Sequence, residues 1–438
     1  MVLKHLFDIT PRKAVPLARA GIRPGLYHYM REVEGAGIRF HLRVDSTGNG
    51  LLLANAAAAA RLRSSGVIIA KGLLDGDDEP TLIGRLQAAF RKVSPEQAAA
   101  DIRRVRGVIN ELKTPEDNYP IINLADPAFA DEDAPLSTPI SADVPLCKRR
   151  AMRPILERLW ELGIPHVTVV AGKDPDARDL IAAVERAEDL GLITGVRGHG
   201  SDLAEGNRIL DLSNAGLDHL DVCCLSLDDR IHDELAGRGD HQNAVKAVLT
   251  AQKYEVCPVA EMALVRPTLE TIEETLEAMV QHGVRNAAFF AIAATDPEHT
   301  GGAVHADELI QAAKLIEEAA EQYNVRLLWY PTLRFDPREP LAEQIRRGPR
   351  SSGDSAVRVE PDGSVIPARG PYRAAGNLLQ DDWETIRQGD VFQAYLRRLE
   401  ADDQCHECPE LVMRASDCLR APGRWADGWK DERIGYET

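Results

Sequence analysis

The chain has 438 residues, 44% of them hydrophobic and 28% charged, which is typical of a soluble globular protein with two or three domains. Its formal net charge of −17 disfavours a nucleic-acid backbone or an anionic membrane surface as the main partner. Because the sequence contains no apolar run of membrane-spanning length and no signal-peptide core at its start, it predicts a cytoplasmic protein without membrane segments.

A first domain is predicted over residues 1–112. Alternating apolar residues predict two strands, and the Ser-Pro-Glu-Gln sequence at residues 94–97 is typical of a helix N-terminus. The predicted strands are residues 38–44 and 51–53, and the predicted helices begin at Asn55, cover 68–74 and run from Ser94 to Leu112. Two strands followed by three helices favour a winged helix-turn-helix.

A second domain is predicted over residues 113–340, where strand and helix patterns alternate. The predicted strands are residues 119–124, 166–170, 193–196, 222–227, 259–265, 287–292 and 327–330. The predicted helices are residues 155–162, 177–190, 204–215, 242–253, 271–282 and 306–323. Such repeats imply an α/β fold in which a parallel sheet curls into a full or partial (β/α) barrel. Functional side chains are then expected at the C-terminal ends of the strands.

The remaining residues, 341–438, are predicted to form a C-terminal extension. The sequence around Asp362-Gly363 is typical of a β-hairpin spanning residues 357–367. A short helix is predicted from Trp383, and an irregular segment with three cysteines follows.

The first domain resembles the PqqD-like peptide-binding domain. The resemblance lies in LLLANAAAAARLRSSGVIIAKGLLDG, where Asn55 and the alanines after it match the strand-to-helix junction of that family. In the family this domain holds the leader of a ribosomally made peptide by adding it as a strand to the edge of its sheet. The resemblance therefore implies a peptide partner, with residues 38–44 or a neighbouring strand as the edge.

The second and third domains resemble the radical S-adenosylmethionine (SAM) barrel and its SPASM extension. Residues 157–200 match the stretch in which the family carries a Gly-Gly-Glu-Pro loop, here Ala-Gly-Lys-Asp-Pro at 171–175. LSLDDRIHDELAGRG at 225–239 matches a strand end and the turn after it. The hairpin at 361–377 and the cysteines at 405–418 match the SPASM extension. Together with the PqqD-like domain, these matches cover most of the chain.

The sequence departs from the radical SAM pattern at the catalytic cluster. The family holds a four-iron cluster with three thiolates in the loop after the first barrel strand, but the predicted loop, residues 125–131, contains no cysteine. The nearest cysteine, Cys147, stands alone. Lys173 replaces a glycine of the loop that binds the SAM ammonium, and its positive charge would repel that group. No cofactor is therefore expected in the barrel.

The SPASM-like cysteines are also incomplete. The family's C-x2-C-x5-C-x3-C run retains Cys405, Cys408 and Cys418, whereas Arg414 occupies the third position. The three thiols, with His406, are candidate ligands for zinc or an iron–sulfur cluster. Alternatively, they are relics that pack as small apolar residues.

Several polar residues near the predicted strand ends are candidates for a binding pocket at one mouth of the barrel. They are Lys173, Asp174, Arg197, His199, Ser226, Asp228, Glu261 and Arg266. The alternative is that they are inherited loop residues with only local hydrogen bonds. Glu261 stands out because a carboxylate in an apolar strand must be paired or functional. His166, His219 and the Cys223-Cys224 pair are predicted to be structural.

These patterns favour a degenerate radical-SAM-like pseudoenzyme that binds a ribosomally made peptide, an active radical SAM partner protein, or both. One alternative is a peptide-modifying enzyme that retains a C-terminal iron–sulfur cluster or uses another cofactor. A second alternative is a structural subunit of a larger complex.

Overall fold

The computed structural model describes residues 17–33, 36–45, 47–54, 58–113, 136, 138–291, 306–330, 340–346, 356–367 and 374–393. The chain divides into two compact units, residues 1–137 with 160–165, and residues 138–159 with 166–438. Within the described residues, no helix combines the length and apolar character needed to cross a bilayer.

The first unit consists of a four-stranded antiparallel sheet and three helices. The strands lie in chain order across the sheet, β1 (Gly25–Val33), β2 (Ala36–Val44), β3 (Gly50–Ala54) and β4 (Ala58–Leu62). The helices are α1 (Ser64–Asp75), α2 (Glu79–Ala89) and α3 (Pro95–Leu112), and a 3-10 turn covers Leu17–Ala20.

Local signals set the helix ends of this unit. Gly76 ends α1 in the left-handed conformation, with φ of 92°, which glycine adopts without steric penalty. Ser94 caps α3 by accepting the backbone N–H of Gln97, as its sequence predicts. Alternate residues of β2 enter the core that the helices cover, namely Ile38, Phe40, Leu42 and Val44.

Two expectations for this unit are wrong. Residues 25–33 form a strand that the sequence analysis did not predict, so the sheet has four strands rather than two. Residues 58–62 form β4 and not the start of a helix, because pairing with β3 outweighs the helix propensity of alanine. For the edge, the prediction was residues 38–44 or a neighbouring strand. Residues 38–44 are paired on both sides, and their neighbour β1 is one edge of the described sheet, with β4 as the other.

The second unit contains a ten-stranded sheet in the order β11-β10-β9-β8-β7-β6-β5-β12-β13-β14. Its strands are β5 (Ser141–Pro145), β6 (His166–Val170), β7 (Ile193–Gly198), β8 (His219–Cys223), β9 (Cys257–Leu264), β10 (Asn286–Ala291), β11 (Arg326–Tyr330), β12 (Ala356–Val359), β13 (Ser364–Pro367) and β14 (Gly376–Asn377). Its helices are α4 (Arg149–Glu161), α5 (Ala177–Asp189), α6 (Gly200–Leu203), α7 (Arg208–Asn214), α8 (Asp229–Ala236), α9 (Asp240–Lys253), α10 (Arg266–Leu269), α11 (Ile272–Gln281), α12 (Ala306–Tyr323), α13 (Leu341–Arg346) and α14 (Trp383–Arg387).

Strands β5 to β11 run parallel to one another, as the strand–helix repeat predicts. The first of them, however, is Ser141–Pro145, where neither a strand nor a helix was predicted. This strand has only five residues, and alternate ones are polar or proline, so its sequence lacks the apolar run of a buried strand. The predicted strand at 119–124 lies outside the described residues.

The predicted hairpin in the C-terminal extension is confirmed. Strands β12 and β13 pair antiparallel around the turn at Asp362-Gly363, and Gly363 has φ of 88°. β12 also pairs parallel with β5, so the hairpin continues the sheet of the barrel.

We expect Leu42→Pro to destabilise the first unit, because it removes a backbone N–H in a strand that lies between two partners. Its side chain is fully buried, so Leu42→Ala is the matched control for lost packing, at about 2–5 kcal/mol. Urea unfolding should show a larger loss for proline than for alanine. Equal losses would indicate that the backbone position of residue 42 tolerates proline.

Candidate functional site

A cluster of charged side chains is buried on the inner face of the parallel sheet, with Arg197 at its centre. The guanidinium of Arg197 contacts Asp143 Oδ2 at 2.5 Å, Glu261 Oε1 at 2.8 Å and Asp221 Oδ2 at 3.6 Å. The side chains of Arg197 and Glu261 are 3% and 1% exposed. A charge buried to this degree is stable only when it is paired, so each group in the cluster depends on the others.

Strand register explains why these residues meet. They belong to β5, β7, β8 and β9, and residues at alternate positions of a strand point to the same face. Arg197 lies beside Asp221 in the register of β7 and β8, and Glu261 lies beside Cys223 in the register of β8 and β9. The carboxylate within the apolar strand β9 therefore has its partner two strands away.

Two histidines extend the cluster. Nε2 of His166 lies 2.6 Å from Nε2 of His219, and Nδ1 of His219 lies 2.6 Å from Oδ1 of Asp221. The histidines sit on β6 and β8, and Gly195 of the intervening strand makes room for them, because a Cβ atom there would overlap the ring of His219. Burial raises the pKa of Asp221, but the charge and hydrogen bond of His219, with the charge of Arg197, lower it below its usual range.

A second buried cluster forms around Asp240, the first residue of α9. Its Oδ2 lies 3.0 Å from Nε2 of His232 and 3.5 Å from Nδ1 of His199, and its Oδ1 accepts the N–H of Ser201. Nδ1 of His232 accepts the N–H of Leu225, so the cluster also holds the segment that follows β8. Burial raises the pKa of Asp240, but the hydrogen bonds of His199 and His232 outweigh burial and hold that pKa well below its usual range.

Other predicted pocket residues make separate local contacts. Ser226 Oγ lies 2.9 Å from Thr271 Oγ1, and Asp228 caps α8 through the backbone N–H groups of the first turn. Arg266 forms an ion pair with Glu308 at 3.2 Å. Asp228 also donates its N–H to Ser226, so these two residues belong to one turn.

Lys173 and Asp174 are exposed residues on the loop between β6 and α5. Asp174 has φ of 50°, and its backbone N–H donates to Asp202 Oδ1 at 3.0 Å. Of the eight predicted pocket residues, the described contacts join Arg197 to Glu261 and Ser226 to Asp228. The contacts of the described residues therefore support the predicted meeting of these residues at one mouth of the barrel for two pairs.

Asp143 and Asp221 were not among the predicted site residues, and the contact of the two histidines with the cluster was not predicted either. Asp143 lies in β5, which was not predicted as a strand. His219 and Asp221 are two residues apart at the start of β8, and this polar alternation is a signal that could have placed both on the inner face. His219 is the first residue of β8, whereas the predicted strand began at residue 222.

The loop after the first barrel strand is Leu146-Cys147-Lys148, since that strand is Ser141–Pro145. This loop contains one cysteine, Cys147. Burial of its thiol, together with the nearby Asp179 carboxylate, raises the pKa of that thiol. One thiol with a disfavoured thiolate does not fit a cluster that needs three. No group of three or more His, Cys, Asp or Glu in the described part of the chain has the arrangement of a metal site. Cys405, Cys408 and Cys418 lie outside the described residues.

Comparison with solved structures confirms the predicted fold class, α/β with a radical-SAM-like partial (β/α) barrel. SuiB of Streptococcus suis bound to S-adenosylmethionine matches with a TM-score of 0.54 and 14% identity, over 94% of this chain and 98% of SuiB. SuiB bound to its precursor peptide SuiA matches with a TM-score of 0.55 and 13% identity, over the same shares. Identities this low show the fold and not the activity.

The chain is also similar in sequence to curated proteins. Two proteins named PqqA peptide cyclase are each 21% identical to the chain, one from Bradyrhizobium diazoefficiens and one from Rhizobium meliloti. The matches cover 53% and 59% of this chain, and 60% and 70% of the respective relatives. The match to the Bradyrhizobium protein is thus shorter than two thirds of that protein. No family model matches the chain.

We expect Arg197→Met to lower the free energy of unfolding by about 3–5 kcal/mol, because it leaves buried carboxylates without their cation. The matched control is Arg266→Met, which removes an ion pair that is 41% exposed on the arginine side and should cost no more than about 1 kcal/mol. Urea denaturation measures both. Equal effects would show that the ion pairs of Arg197 contribute no more to stability than a surface pair.

We expect Asp240→Asn to lower stability by about 2 kcal/mol near neutral pH, because a buried hydrogen-bonded charge is lost. The folded-state pKa of Asp240 is lowered, so its contribution is fully present above the unfolded value of about 3.9 and is lost as pH falls through the folded value. The difference between wild type and variant should therefore narrow as pH falls below about 4. A difference that stays constant in thermal unfolding at each pH would contradict this account.

Proposed function

We propose that the chain is a radical-SAM-like peptide-binding protein that does not cleave SAM on its own. In this proposal it is a cytoplasmic subunit in the modification of a ribosomally made peptide and associates with an active radical SAM partner. Its parts are a PqqD-like domain at 1–112, a barrel at 113–340 and a SPASM-like extension at 341–438.

The set of thiols carries the proposal. The loop after β5 offers Cys147 alone, and no other cysteine occurs in the sequence before Cys223. Cys223 is fully buried in β8, so it belongs to the core rather than to that loop. A four-iron cluster with an open iron position needs three thiolates that converge on it. Reductive SAM cleavage therefore lacks its cofactor in this barrel.

A peptide ligand is supported by the relatives. The curated relatives are named for a peptide, PqqA, and a structure with the same fold contains SuiB bound to its precursor peptide SuiA. The first unit of this chain has sheet edges at β1 and β4, to which a peptide strand can be added.

The barrel in this proposal binds and does not catalyse. The inner charges around Arg197 are paired with one another, which suits a rigid scaffold. The exposed Lys173 and Asp174, with Ser226, Asp228 and Arg266, are the candidates for contacts with a peptide or a partner protein. Lys173 also places a positive charge where the resemblance would put the ammonium group of SAM.

The second candidate function is a peptide-modifying enzyme that keeps one C-terminal cluster. It is favoured by the C-x2-C spacing of Cys405 and Cys408, with Cys418 ten residues further on. Three thiolates could hold an iron–sulfur cluster or zinc. A cluster there would relay electrons and would not by itself restore SAM cleavage in the barrel.

The test is anaerobic reconstitution of the full chain with iron and sulfide, followed by incubation with SAM and a reductant. We expect no 5′-deoxyadenosine, because the barrel lacks two of the three thiolates. An active radical SAM enzyme treated in parallel is the positive control, and Cys147→Ser should leave the iron content unchanged. SAM turnover by the pure protein would refute the proposal, and iron bound without turnover would favour the C-terminal site.

A further inference from the structure

Strand β1 is an open edge with an exposed apolar side chain. It pairs with β2 on one side, and the described sheet has no strand on its other side. Met30, near the middle of β1, is 54% exposed, more than any other large hydrophobic side chain in the described residues. Open edges with exposed apolar residues readily accept another strand. At the opposite edge, Ala59 and Arg61 of β4 have additional partners of their own.

Arg31 on the same strand has a positive charge that no described carboxylate balances. Its guanidinium donates to two main-chain carbonyls, those of Met30 at 2.9 Å and of Leu74. A guanidinium has five N–H donors, so donors remain for a further acceptor. The contact with Leu74 places Arg31 beside α1, and alternation along the strand then places Met30 on the other face.

The carboxylate of Asp75, at the end of α1 near Arg31, already has two partners. Oδ1 of Asp75 accepts the hydroxyl of Tyr29 at 2.9 Å, and its Oδ2 pairs with Lys71 at 2.8 Å. The ammonium of Lys71 also lies 4.8 Å from the ring centre of Tyr27. Two cations and one carboxylate therefore border the edge on the side of α1, which leaves a net positive charge.

The segment that contains the strands and helices of the first unit, residues 17–113, is cationic, although the full chain is acidic. Residues 17–113 contain fifteen Lys and Arg against ten Asp and Glu, a net charge of +5, whereas the full chain has −17. Charge asymmetry of this kind indicates the charge of the partner. A cationic segment on an acidic protein favours an acidic ligand for that segment.

We infer that the β1 edge binds an extended peptide in which acidic residues alternate with apolar ones. This inference rests on the proposed peptide-binding function and specifies the chemistry of the peptide. Side chains of an added strand point alternately to the two faces of the sheet. Acidic side chains on one face contact Arg31 and Lys71, and apolar side chains on the other face cover Met30.

The test measures binding of two fluorescein-labelled peptides of about ten residues to the full chain by fluorescence anisotropy. One peptide alternates Glu and Val, and the other alternates Gln and Val. We expect the wild type to bind the Glu peptide about tenfold more tightly, which corresponds to about one charge-assisted hydrogen bond. Arg31→Gln should remove most of this preference, and Arg31→Lys should restore part of it.

The matched control is Arg63→Gln, which removes the same charge from an exposed arginine just after β4, the other edge strand. The control should keep the tenfold preference, and thermal unfolding should show that all variants are folded. If the wild type binds both peptides equally, the preference for acidic residues is wrong, but the proposed peptide-binding function is still supported. Equal losses in Arg31→Gln and Arg63→Gln would show general electrostatic attraction and would overturn the β1 site. Failure of both peptides to bind would overturn the inference and count against peptide capture as well.

Discussion

The ion pairs of Arg197 are the interaction on which the second unit most depends. A guanidinium that is 3% exposed would be strongly destabilising alone, and its carboxylate partners come from three other strands. These pairs hold only if β5, β7, β8 and β9 keep their order and register. The same register places Gly195 between the two histidines, where a side chain would displace the His219 ring. The buried charges thus make the inner face of the sheet specific for one arrangement.

The buried ion pairs and the short loop after β5 limit the chemical groups that the barrel interior offers. Its interior contains charged groups that satisfy one another, and the loop after its first strand offers a single thiol of raised pKa. This loop therefore does not supply the three thiolates that a four-iron cluster needs. The second cluster, around Asp240, has a comparable structural role, because it joins the residues after β7 and β8 to the start of α9.

The first unit differs in the source of its stability and in its charge. Its core is apolar, built from alternate residues of β2 and the buried faces of the three helices. Residues 17–113 of this unit carry a net charge of +5, and the edge strand β1 carries both an exposed methionine and an arginine without a described carboxylate partner. These features suit recognition of another chain, while the buried ion pairs of the second unit suit support. Binding and scaffolding functions can therefore belong to different parts of one protein.

The sequence by itself determined the features that depend on local patterns. The strand–helix repeat predicted six of the seven parallel strands, β6 to β11, Asp362-Gly363 predicted the hairpin, and Ser94 predicted the start of α3. The single Cys147 in the region of the first barrel strand can also be read directly from the sequence. Turn geometry, capping and thiol number are set by residues within one short segment, so no tertiary information is needed.

Only the tertiary structure decided which polar residues meet and which strands are edges. Asp143 and Arg197 are 54 positions apart, and His166 and His219 are 53 apart, so their contacts depend on the pairing of separate strands. The alanines of β4 have high helix propensity, and only pairing with β3 makes them a strand. Residues 38–44 have the same alternation in an edge or an interior strand. Their place was decided by β1, because the hydrogen bonds of a sheet join segments whose partners a local pattern does not specify.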